Sequence, residues 1–412
     1  MAKELHLVGG TAVLPNRILK PCHVVCRDER IVSLGAMTDS PPTGQASSQD
    51  GLERETIDLA GRYLVPGFID LHVHGGAGAD FMDGTIDAVV QSCDAHLRHG
   101  TTSIFPTTTT GDSSQIHAML DSVTASRGRT KARIPGVHLY GPFFAANKVG
   151  CHDVGGRRDP LAKEYQAYFD SGEIRIATCA AELPGAMDFY DHAREYASLL
   201  TCGHSNASFA EMTTAFENGM RHVDHFWCAM SSVASLRQRF GAPMQASMAE
   251  FVLMNRKMST EVIADGCHLS PELLEFAYCM IGPERLCLVT DCNRALDMPA
   301  GEYAFGQEMG EARFYSDGQV GWALDRSSLA SSVKGMDHMV RTMKSVTTAD
   351  LVDVIKMATL TPAKRTHIDE QVGSIEEGKL ADFVVLDTDL NVVKVIVGGS
   401  VVSDEAMDAV GK

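Results

Sequence analysis

Five residues of types that bind divalent metal ions stand at the ends of β-rich runs of the chain. The run GFIDLHVH ends in His72 and His74, and because side chains alternate along a strand, both imidazoles point to the same face. Two neutral imidazoles so placed can hold one divalent metal ion. Three further candidates lie at the ends of the runs LLTCGHS, MRHVDHF and RLCLVTD: His204, His225 and Asp291. The pattern predicts a metal site, although the first pair alone could be two packed histidines of a strand.

These residues need a scaffold that brings distant strand ends together, and the middle of the chain predicts one. β-like runs alternate with helix-like runs, and eight strand candidates occur: GFIDLHVH, TSIFPTTTT, RIPGVHLYG, IRIATCAAE, LLTCGHSNA, MRHVDHFW, STEVIADGCH and RLCLVTDCN. A closed TIM barrel needs eight strands and carries its functional groups at their C-terminal ends. Helix-like runs end at Gly100 and Gly219, a usual helix stop. We therefore expect an α/β fold with a (β/α)8 barrel over residues 63–368.

Both ends of the chain are β-rich as well. The runs ELHLVG and HVVCRDERIVSLG lie near the start, and KLADFVVLD and NVVKVIVGG lie near the end, separated by polar turn residues. Two β-rich ends that flank an α/β middle predict one small β-sandwich domain built from both termini. We expect residues 1–62 and 369–412 to form it together.

Composition excludes several classes of function. The 412 residues carry a formal net charge of −17, which argues against nucleic acid as a partner because phosphate backbones bind basic surfaces. No apolar run reaches the roughly eighteen residues of a membrane span. The eleven scattered cysteines predict reduced thiols, and the start of the sequence does not resemble a signal peptide. A cytoplasmic protein without a membrane span is expected.

A series of short motifs resembles one known family. PGFIDLHVHG, GVHLYGPFF, KVGCHD, GHSNA, HFWCAM, IADGCH, LVTD and ADFVVLD follow one another over nearly the whole chain. In order and spacing they are similar to the motifs of the N-acetylglucosamine-6-phosphate deacetylases, members of the amidohydrolase superfamily. The resemblance implies a metal-dependent hydrolase of amide bonds, a deacetylase of amino sugar metabolism, and a homodimer.

The resemblance also implies how the metal site would act. A bound divalent ion lowers the pKa of its water to about 7 and polarises the amide carbonyl. Asp291 would be general base towards the water and general acid towards the departing amine; its alternative role is a helix cap. Zinc is the expected metal, with Fe, Mn and Co as alternatives, because histidine and carboxylate ligands accept all four.

Tyr140 departs from the family pattern. The family motif H-x-E-G-P supplies a glutamate ligand on the third strand, whereas this chain reads HLYGP. A phenol with a pKa near 10 is a poor replacement for a carboxylate between two cations. We expect one metal ion, held by the first-strand histidines and Asp291, with the other two histidines as partial ligands or substrate contacts. The alternative is that metal binding converts Tyr140 into a phenolate ligand. The number of metal ions per chain, one or two, is therefore left open.

The substrate region matches the family in part. His152 in KVGCHD and His268 in IADGCH match substrate-binding positions, whereas Cys228 in HFWCAM replaces an Asn that would bind the sugar phosphate. Arg326 stands in LDRS, where the family has small residues. The predicted substrate-binding set is Cys151, His152, Cys228, Ala229, Arg237, His268 and Arg326.

Arginine suits an anionic substrate because its planar fork donates paired hydrogen bonds to phosphate or carboxylate. Arg237, or Arg239 beside it, is the candidate to clamp phosphate, and Arg294 follows the eighth strand. Each could equally be a solvated surface residue. A small anionic substrate, a sugar phosphate, is expected, although it need not be N-acetylglucosamine 6-phosphate.

Two other functions stay open. One is a different amidohydrolase activity on an anionic substrate, such as hydrolysis of N-acyl amino acids or cyclic amides, or deamination. Deaminases of this superfamily often use one metal, which suits a site without the glutamate. The other is a barrel that has lost catalysis and acts as a scaffold. The retention of five of the six family ligands argues against it.

Overall fold

The structure is a computed structural model that describes residues 3–37 and 53–402. Its strands are β1 (Lys3–Leu14), β2 (Arg17–Arg27), β3 (Arg30–Ala36), β4 (Glu53–Asp58), β5 (Tyr63–Pro66), β6 (Phe68–Val73), β7 (Gly75–Gly76), β8 (Ala79–Asp80), β9 (Thr101–Pro106), β10 (Val137–Leu139), β11 (Ile174–Thr178), β12 (Leu199–Cys202), β13 (His222–Val223), β14 (Ser259–Ile263), β15 (Leu286–Val289), β16 (Gly301–Ala304), β17 (Arg313–Ser316), β18 (Val320–Ala323), β19 (Leu329–Ser332), β20 (Phe383–Leu386), β21 (Val392–Val397) and β22 (Ser400–Val401).

The helices connect these strands. They are α1 (Ile86–Arg98), α2 (Ser113–Ser126), α3 (Ala162–Phe169), α4 (Ala186–Ala193), α5 (Phe209–Glu217), α6 (Val233–Phe240), α7 (Met248–Met254), α8 (Pro271–Ile281), α9 (Met336–Val346), α10 (Leu351–Ala358) and α11 (Leu360–Arg365). Among the described residues, none of these helices is long and apolar enough to cross a membrane.

Eight parallel strands close into the barrel. β10 to β15 form one six-stranded sheet in sequential order, and β6 pairs with β9. Two isolated bridges complete the ring: Thr107 with His138 links β9 to β10, and Val73 with Cys292 links β6 to the segment after β15. Helices α1 to α8 occupy the connections between these strands. The eight strand candidates of the sequence are these eight strands, and the predicted (β/α)8 barrel is confirmed.

Local sequence explains where several barrel helices begin and end. Asp112 caps α2 through a hydrogen bond from the Gln115 amide, and Ser208 caps α5 in the same way. Helices α1 and α5 stop just before Gly100 and Gly219, whose φ angles are 84° and 107°. Glycine adopts such angles without steric cost, so the two predicted helix stops are also found.

Strands from both ends of the chain form one eight-stranded sheet in the order β22-β21-β20-β5-β1-β2-β3, with β4 paired to β1. β5 joins the two ends because it pairs with β20 on one side and β1 on the other. The sheet has its own apolar core, which includes Leu7, Val24 and Phe383. The β-sandwich domain built from both termini is therefore confirmed. Its predicted limits, 1–62 and 369–412, reach beyond the described residues and stay a prediction.

A small antiparallel sheet of β16 to β19, which the sequence did not predict, follows the last barrel strand. Its end is tied to the barrel because the Ser332 amide donates to the Asp291 carbonyl and the Asn293 amide donates to the Ser332 carbonyl. This sheet therefore flanks the rim on which Asp291 stands.

Candidate metal centre and active site

The five predicted metal-ligand residues meet at one rim of the barrel. His72 lies in β6 and His74 follows it, while His204, His225 and Asp291 each come two residues after a barrel strand. All five are buried. The last three have φ angles of 44°, 21° and 44°, in a left-handed region that costs energy for residues with a side chain. Three strained turns at equivalent strand ends indicate that the chain is bent to bring these side chains together.

Asp291 lies between the two histidines of the first barrel strand. Its Oδ1 is 3.2 Å from His74 Nε2 and 3.7 Å from His72 Nε2, and it accepts a hydrogen bond of 3.2 Å from Ser331 Oγ. Neither Nε2 atom has a hydrogen-bond partner within the described part of the chain, although both are buried. Buried polar atoms of folded proteins rarely lack partners, and a pair of such nitrogens facing a carboxylate indicates a ligand position.

His204 and His225 face each other through their Nε2 atoms. His204 Nδ1 bonds to the Lys148 carbonyl, and His225 Nδ1 bonds to the Cys228 carbonyl at 3.1 Å. With Nδ1 donating, each Nε2 carries a lone pair, and the two Nε2 atoms are 3.3 Å apart. The Tyr140 hydroxyl donates to His225 Nε2, and a cation that displaced this hydroxyl would meet both lone pairs.

The charges around the site favour metal binding. Burial lowers the pKa of His225 to about 4 and, together with the charge of His225, lowers the pKa of His204 well below its usual value. Burial alone would raise the pKa of Asp291, but His72 and His74 hold it well below its usual value. Two neutral imidazoles and an ionised carboxylate are protonation states that ligate a metal. Although burial opposes it, the carboxylates of Asp291 and Glu261 raise the pKa of His72 to about 9, so a metal ion would displace a proton there.

These donors fit a divalent metal ion. His72, His225 and Asp291 each offer one ligand atom, and the three atoms lie within 4.8 Å of one another. Nitrogen and oxygen donors of this kind suit zinc and other first-row metals. The residues expected to hold a metal are thus brought together.

Tyr140 lies among these ligands. Its hydroxyl donates to His225 Nε2, and its ring centroid is 4.2 Å from that of His72. Burial, together with the carboxylates of Asp224 and Asp291, raises the pKa of Tyr140 well above its usual value. Without a cation, the position of the family's glutamate is therefore filled by a neutral phenol.

A cavity of about 370 Å³ lies against the ligand cluster. His152 lines it with an Nδ1 that has no hydrogen-bond partner in the described residues, and its ring packs 5.0 Å from the ring of Phe305. His268 lines it with Nδ1 held 2.7 Å from Asp265 Oδ2, a contact that raises the pKa of His268 although burial opposes it. Five predicted substrate-binding residues line this cavity: Cys151, His152, Cys228, Ala229 and His268.

The predicted arginines do not line the cavity. Arg237 is exposed on α6, and Arg326 is exposed with its guanidinium carbon 4.9 Å from the ring centroid of Tyr315. Arg239 pairs with Glu211 at 2.7 Å. Arg294 is buried but bonded to Asp83 and Glu308, so its charge is already matched. The sequence could not predict where these arginine side chains lie, because none of them is in a barrel strand.

Three features of the site escaped the sequence analysis. Lys148 is the lysine that lines the cavity, and Ser331 lines it from the small sheet and bonds to Asp291. Glu261 accepts a hydrogen bond of 2.7 Å from His72 Nδ1 from within β14. A glutamate in a strand otherwise made of apolar and small residues, STEVI, was the signal that could have found the last of them.

A larger cavity, about 720 Å³, lies elsewhere, between residues 127–135, residues 367–372 and the terminal sheet. It contains none of the predicted ligands and lies beside the starts of barrel strands, whereas functional groups of such barrels lie at the strand ends. The smaller cavity is therefore the candidate active site.

Known proteins resemble this chain in sequence and in fold. The model of the amidohydrolase family matches residues 63–402. N-acetylgalactosamine-6-phosphate deacetylase of Escherichia coli O157:H7 is 31% identical over 349 residues, which are 82% of this chain and 88% of that protein. N-acetylglucosamine-6-phosphate deacetylase of Bacillus subtilis is 28% identical over 98% of this chain and 99% of that protein.

A solved structure shows the same fold. The crystal structure of N-acetylglucosamine-6-phosphate deacetylase from Pasteurella multocida has a TM-score of 0.87 with 24% identity, covering 97% of this chain and 100% of that one. The family model spans most of the chain, and the barrel with its terminal β domain is shared. The chain therefore belongs to the amidohydrolase family and is related to its amino sugar phosphate deacetylases.

Proposed function

We propose that this protein removes the acetyl group from an N-acetylated hexosamine 6-phosphate in a metal-dependent hydrolysis. One observation carries the proposal: the Asp291 carboxylate lies between unpartnered imidazole nitrogens at the wall of a cavity that would hold a monosaccharide. Relatives named as deacetylases of both N-acetylgalactosamine 6-phosphate and N-acetylglucosamine 6-phosphate support the substrate class.

The residues divide the chemistry between them. A metal ion bound by the histidines and Asp291 would supply an acidified water and polarise the amide carbonyl. Asp291 accepts the proton of the attacking water and returns it to the amine that leaves, which requires it to be ionised at the start, as its lowered pKa provides. Ser331 holds the Asp291 carboxylate in place through its 3.2 Å hydrogen bond.

We further propose that the site holds a single metal ion, and that it is zinc. The support for one ion is Tyr140, a neutral phenol where a second ion would need a carboxylate, and the support for zinc is the set of histidine and carboxylate donors. Substituting Tyr140→Glu restores that carboxylate. We expect metal analysis to give one ion per chain for the wild type and two for the variant. Two ions in the wild-type protein would contradict the single-metal proposal and favour a phenolate ligand.

Lys148 and His268 are the residues proposed to meet the anionic group of the substrate. Both line the cavity, and the hydrogen bond to Asp265 favours the protonated form of His268. Because one charged hydrogen bond contributes roughly 1.5–3 kcal/mol, we expect Lys148→Ala to raise KM by at least about tenfold for the phosphorylated sugar. The KM of the unphosphorylated sugar is the control and should not change.

An assay of released products tests the function itself. Purified, zinc-loaded protein is incubated with both N-acetylhexosamine 6-phosphates, with N-acetylglucosamine, with N-acetyl amino acids and with amino-bearing heterocycles. Acetate release from a phosphorylated sugar is expected. Release of ammonia, or cleavage of N-acyl amino acids alone, would replace the proposal by another amidohydrolase activity, and the absence of turnover with a loaded metal site would favour a scaffold.

A homodimer acting in the cytoplasm is also proposed. The eleven cysteines are all free, which fits a reducing compartment. Arg237 is exposed within one subunit, and we propose that it reaches the cavity of the partner subunit. Mixing inactive Arg237→Ala and Asp291→Asn subunits tests this, because a mixed dimer would regain one complete site. No recovery of activity, or a monomer by light scattering, would contradict it.

A further inference from the structure

A cluster of ionisable side chains lies inside the barrel, below the proposed metal site. His222, Asp224 and Glu261 are at most 1% exposed, and their ligand atoms lie within 4.8 Å of one another. The interior of such barrels is normally filled by branched apolar side chains. Burying a carboxylate is costly unless it is paired, so the presence of two here calls for a role.

Glu261 is fully engaged by hydrogen-bond donors. One carboxylate oxygen, Oε1, accepts from His72 Nδ1 at 2.7 Å and from the His225 amide at 3.2 Å. The other, Oε2, accepts from His222 Nε2 at 3.2 Å. His222 is held in turn by Ser259 Oγ, 2.8 Å from its Nδ1. One buried carboxylate thus contacts two residues of the proposed metal site.

The bond to His72 decides which nitrogen faces the metal. An imidazole that donates from Nδ1 to a carboxylate presents the lone pair of Nε2, and His72 Nε2 is the atom that points at Asp291 without a partner. A carboxylate behind a ligating histidine fixes the ring's orientation and makes the nitrogen a stronger donor. The bond to the His225 amide holds the second strand end at the same point.

A metal ion held by the cluster itself is disfavoured. Both oxygens of Glu261 already accept hydrogen bonds, and Asp224 Oδ2 accepts from Thr178 and Thr201 at 3.0 Å each. Among the side-chain nitrogen and oxygen atoms of His222, Asp224 and Glu261, only Asp224 Oδ1 has no hydrogen-bond partner in the described residues. The contacts of Glu261 are those of a residue that holds metal ligands in place, and not those of a ligand itself.

We propose that Glu261 is a positioning residue that orients His72 and strengthens its bond to the metal, with His222 holding Glu261 in place. The proposal rests on the metal site of the proposed function. It adds a contribution from β14, a strand that carries none of the five ligands.

Zinc affinity of the metal-free protein tests this, measured by competition with a chromogenic chelator. Carboxylates behind a ligating histidine typically contribute about 10–100-fold in metal affinity. We expect Glu261→Ala to lose that much. Glu261→Gln should lose less, because its amide oxygen can still accept from His72 Nδ1 while the charge is gone. The tautomer of His72, read from nitrogen chemical shifts, should change in the alanine variant and persist in the glutamine variant.

Asp382→Asn is the matched control. Asp382 is also a buried carboxylate, bonded to Arg133 Nε at 2.6 Å, but it directly precedes β20 of the terminal sheet. Its loss should lower the thermal midpoint and leave zinc affinity unchanged. A drop in zinc affinity in this control as well would show that general destabilisation explains the effect, and would overturn the proposal.

Other outcomes distinguish a failure of the proposed function from a failure of the role proposed for Glu261. Wild-type protein that binds no zinc would overturn the proposed function. A wild type that binds zinc together with a folded Glu261→Ala variant of equal affinity would overturn the role of Glu261 alone. If the alanine variant does not fold, Glu261→Gln decides by the same comparison. Loss of one whole ion per chain in either variant would show that Glu261 is itself a ligand, which also contradicts the proposal.

Discussion

Two clusters of histidine and aspartate in this protein differ in how their ring nitrogens are satisfied. At the rim, the Nε2 atoms of His72 and His74 face Asp291 without a hydrogen-bond partner. In the second cluster, His99 bonds to Asp337 at 2.9 Å and to Asp297 at 3.0 Å, so both of its ring nitrogens are satisfied. The first cluster is incomplete without a ligand, whereas the second is complete and serves the fold. Unsatisfied ring nitrogens that face the Asp291 carboxylate, rather than the residue types, distinguish this site from the part-buried ion pairs of the second cluster.

The sharpest test of this contrast exchanges an aspartate for asparagine in each cluster. Asp291→Asn removes the proposed general base, a group that contributes about 10²–10⁴-fold to turnover. We expect kcat to fall by at least about 100-fold while the thermal midpoint stays close to that of the wild type. Asparagine keeps the size and tolerates the left-handed backbone at this position.

Asp297→Asn is its counterpart, since Asp297 also has a positive φ, 60°, but belongs to the second cluster. It should lower the thermal midpoint and leave kcat unchanged. Near-full activity of Asp291→Asn, or a large loss in Asp297→Asn without unfolding, would mean that the two clusters have been assigned the wrong roles.

The next effect concerns pH and the second cluster. Burial alone would lower the pKa of His99, but its hydrogen bonds to Asp297 and Asp337 raise it to about 9. A raised pKa in the folded state stabilises the protein fully below about pH 6.5, and the contribution is lost as the pH rises through 9. We expect a loss on the order of 2 kcal/mol in the free energy of unfolding between pH 6 and pH 10.

His99→Gln is the control for that measurement, because glutamine does not titrate. Urea unfolding of the variant should show a much smaller decrease over the same pH interval. An identical pH dependence in both proteins would place the titrating group elsewhere.

The smallest effect is expected at Arg326. Its guanidinium stacks on Tyr315 and Trp322 at the surface and does not line the cavity. Surface substitutions of this kind change free energies by about 0.5 kcal/mol or less, so Arg326→Ala should alter KM by no more than about twofold. A tenfold rise in KM would instead return Arg326 to the substrate-binding set that the sequence predicts.

What the sequence could predict follows from regular geometry. The eight barrel strands and the rim residues could be predicted because side chains alternate along a strand and functional groups lie at the C-terminal strand ends. These two rules fix the face of the strand that a side chain is on and its position along the barrel axis. Arg237 lies on helix α6, and Arg326 lies at the hairpin turn between β18 and β19. Several residues separate each of them from the nearest barrel strand, so the sequence does not fix where the side chain points. Glu261 was missed because its partner His72 is 189 positions away, and such a pairing depends on barrel closure.

The three strained turns at His204, His225 and Asp291 have a consequence for protein engineering. Glycine would relax each of them, so a directed-evolution library screened only for heat resistance should enrich glycine at the three positions. Every such winner would lack a donor of the metal site. Thermal selection on this scaffold therefore drifts towards inert proteins unless turnover is selected in the same round.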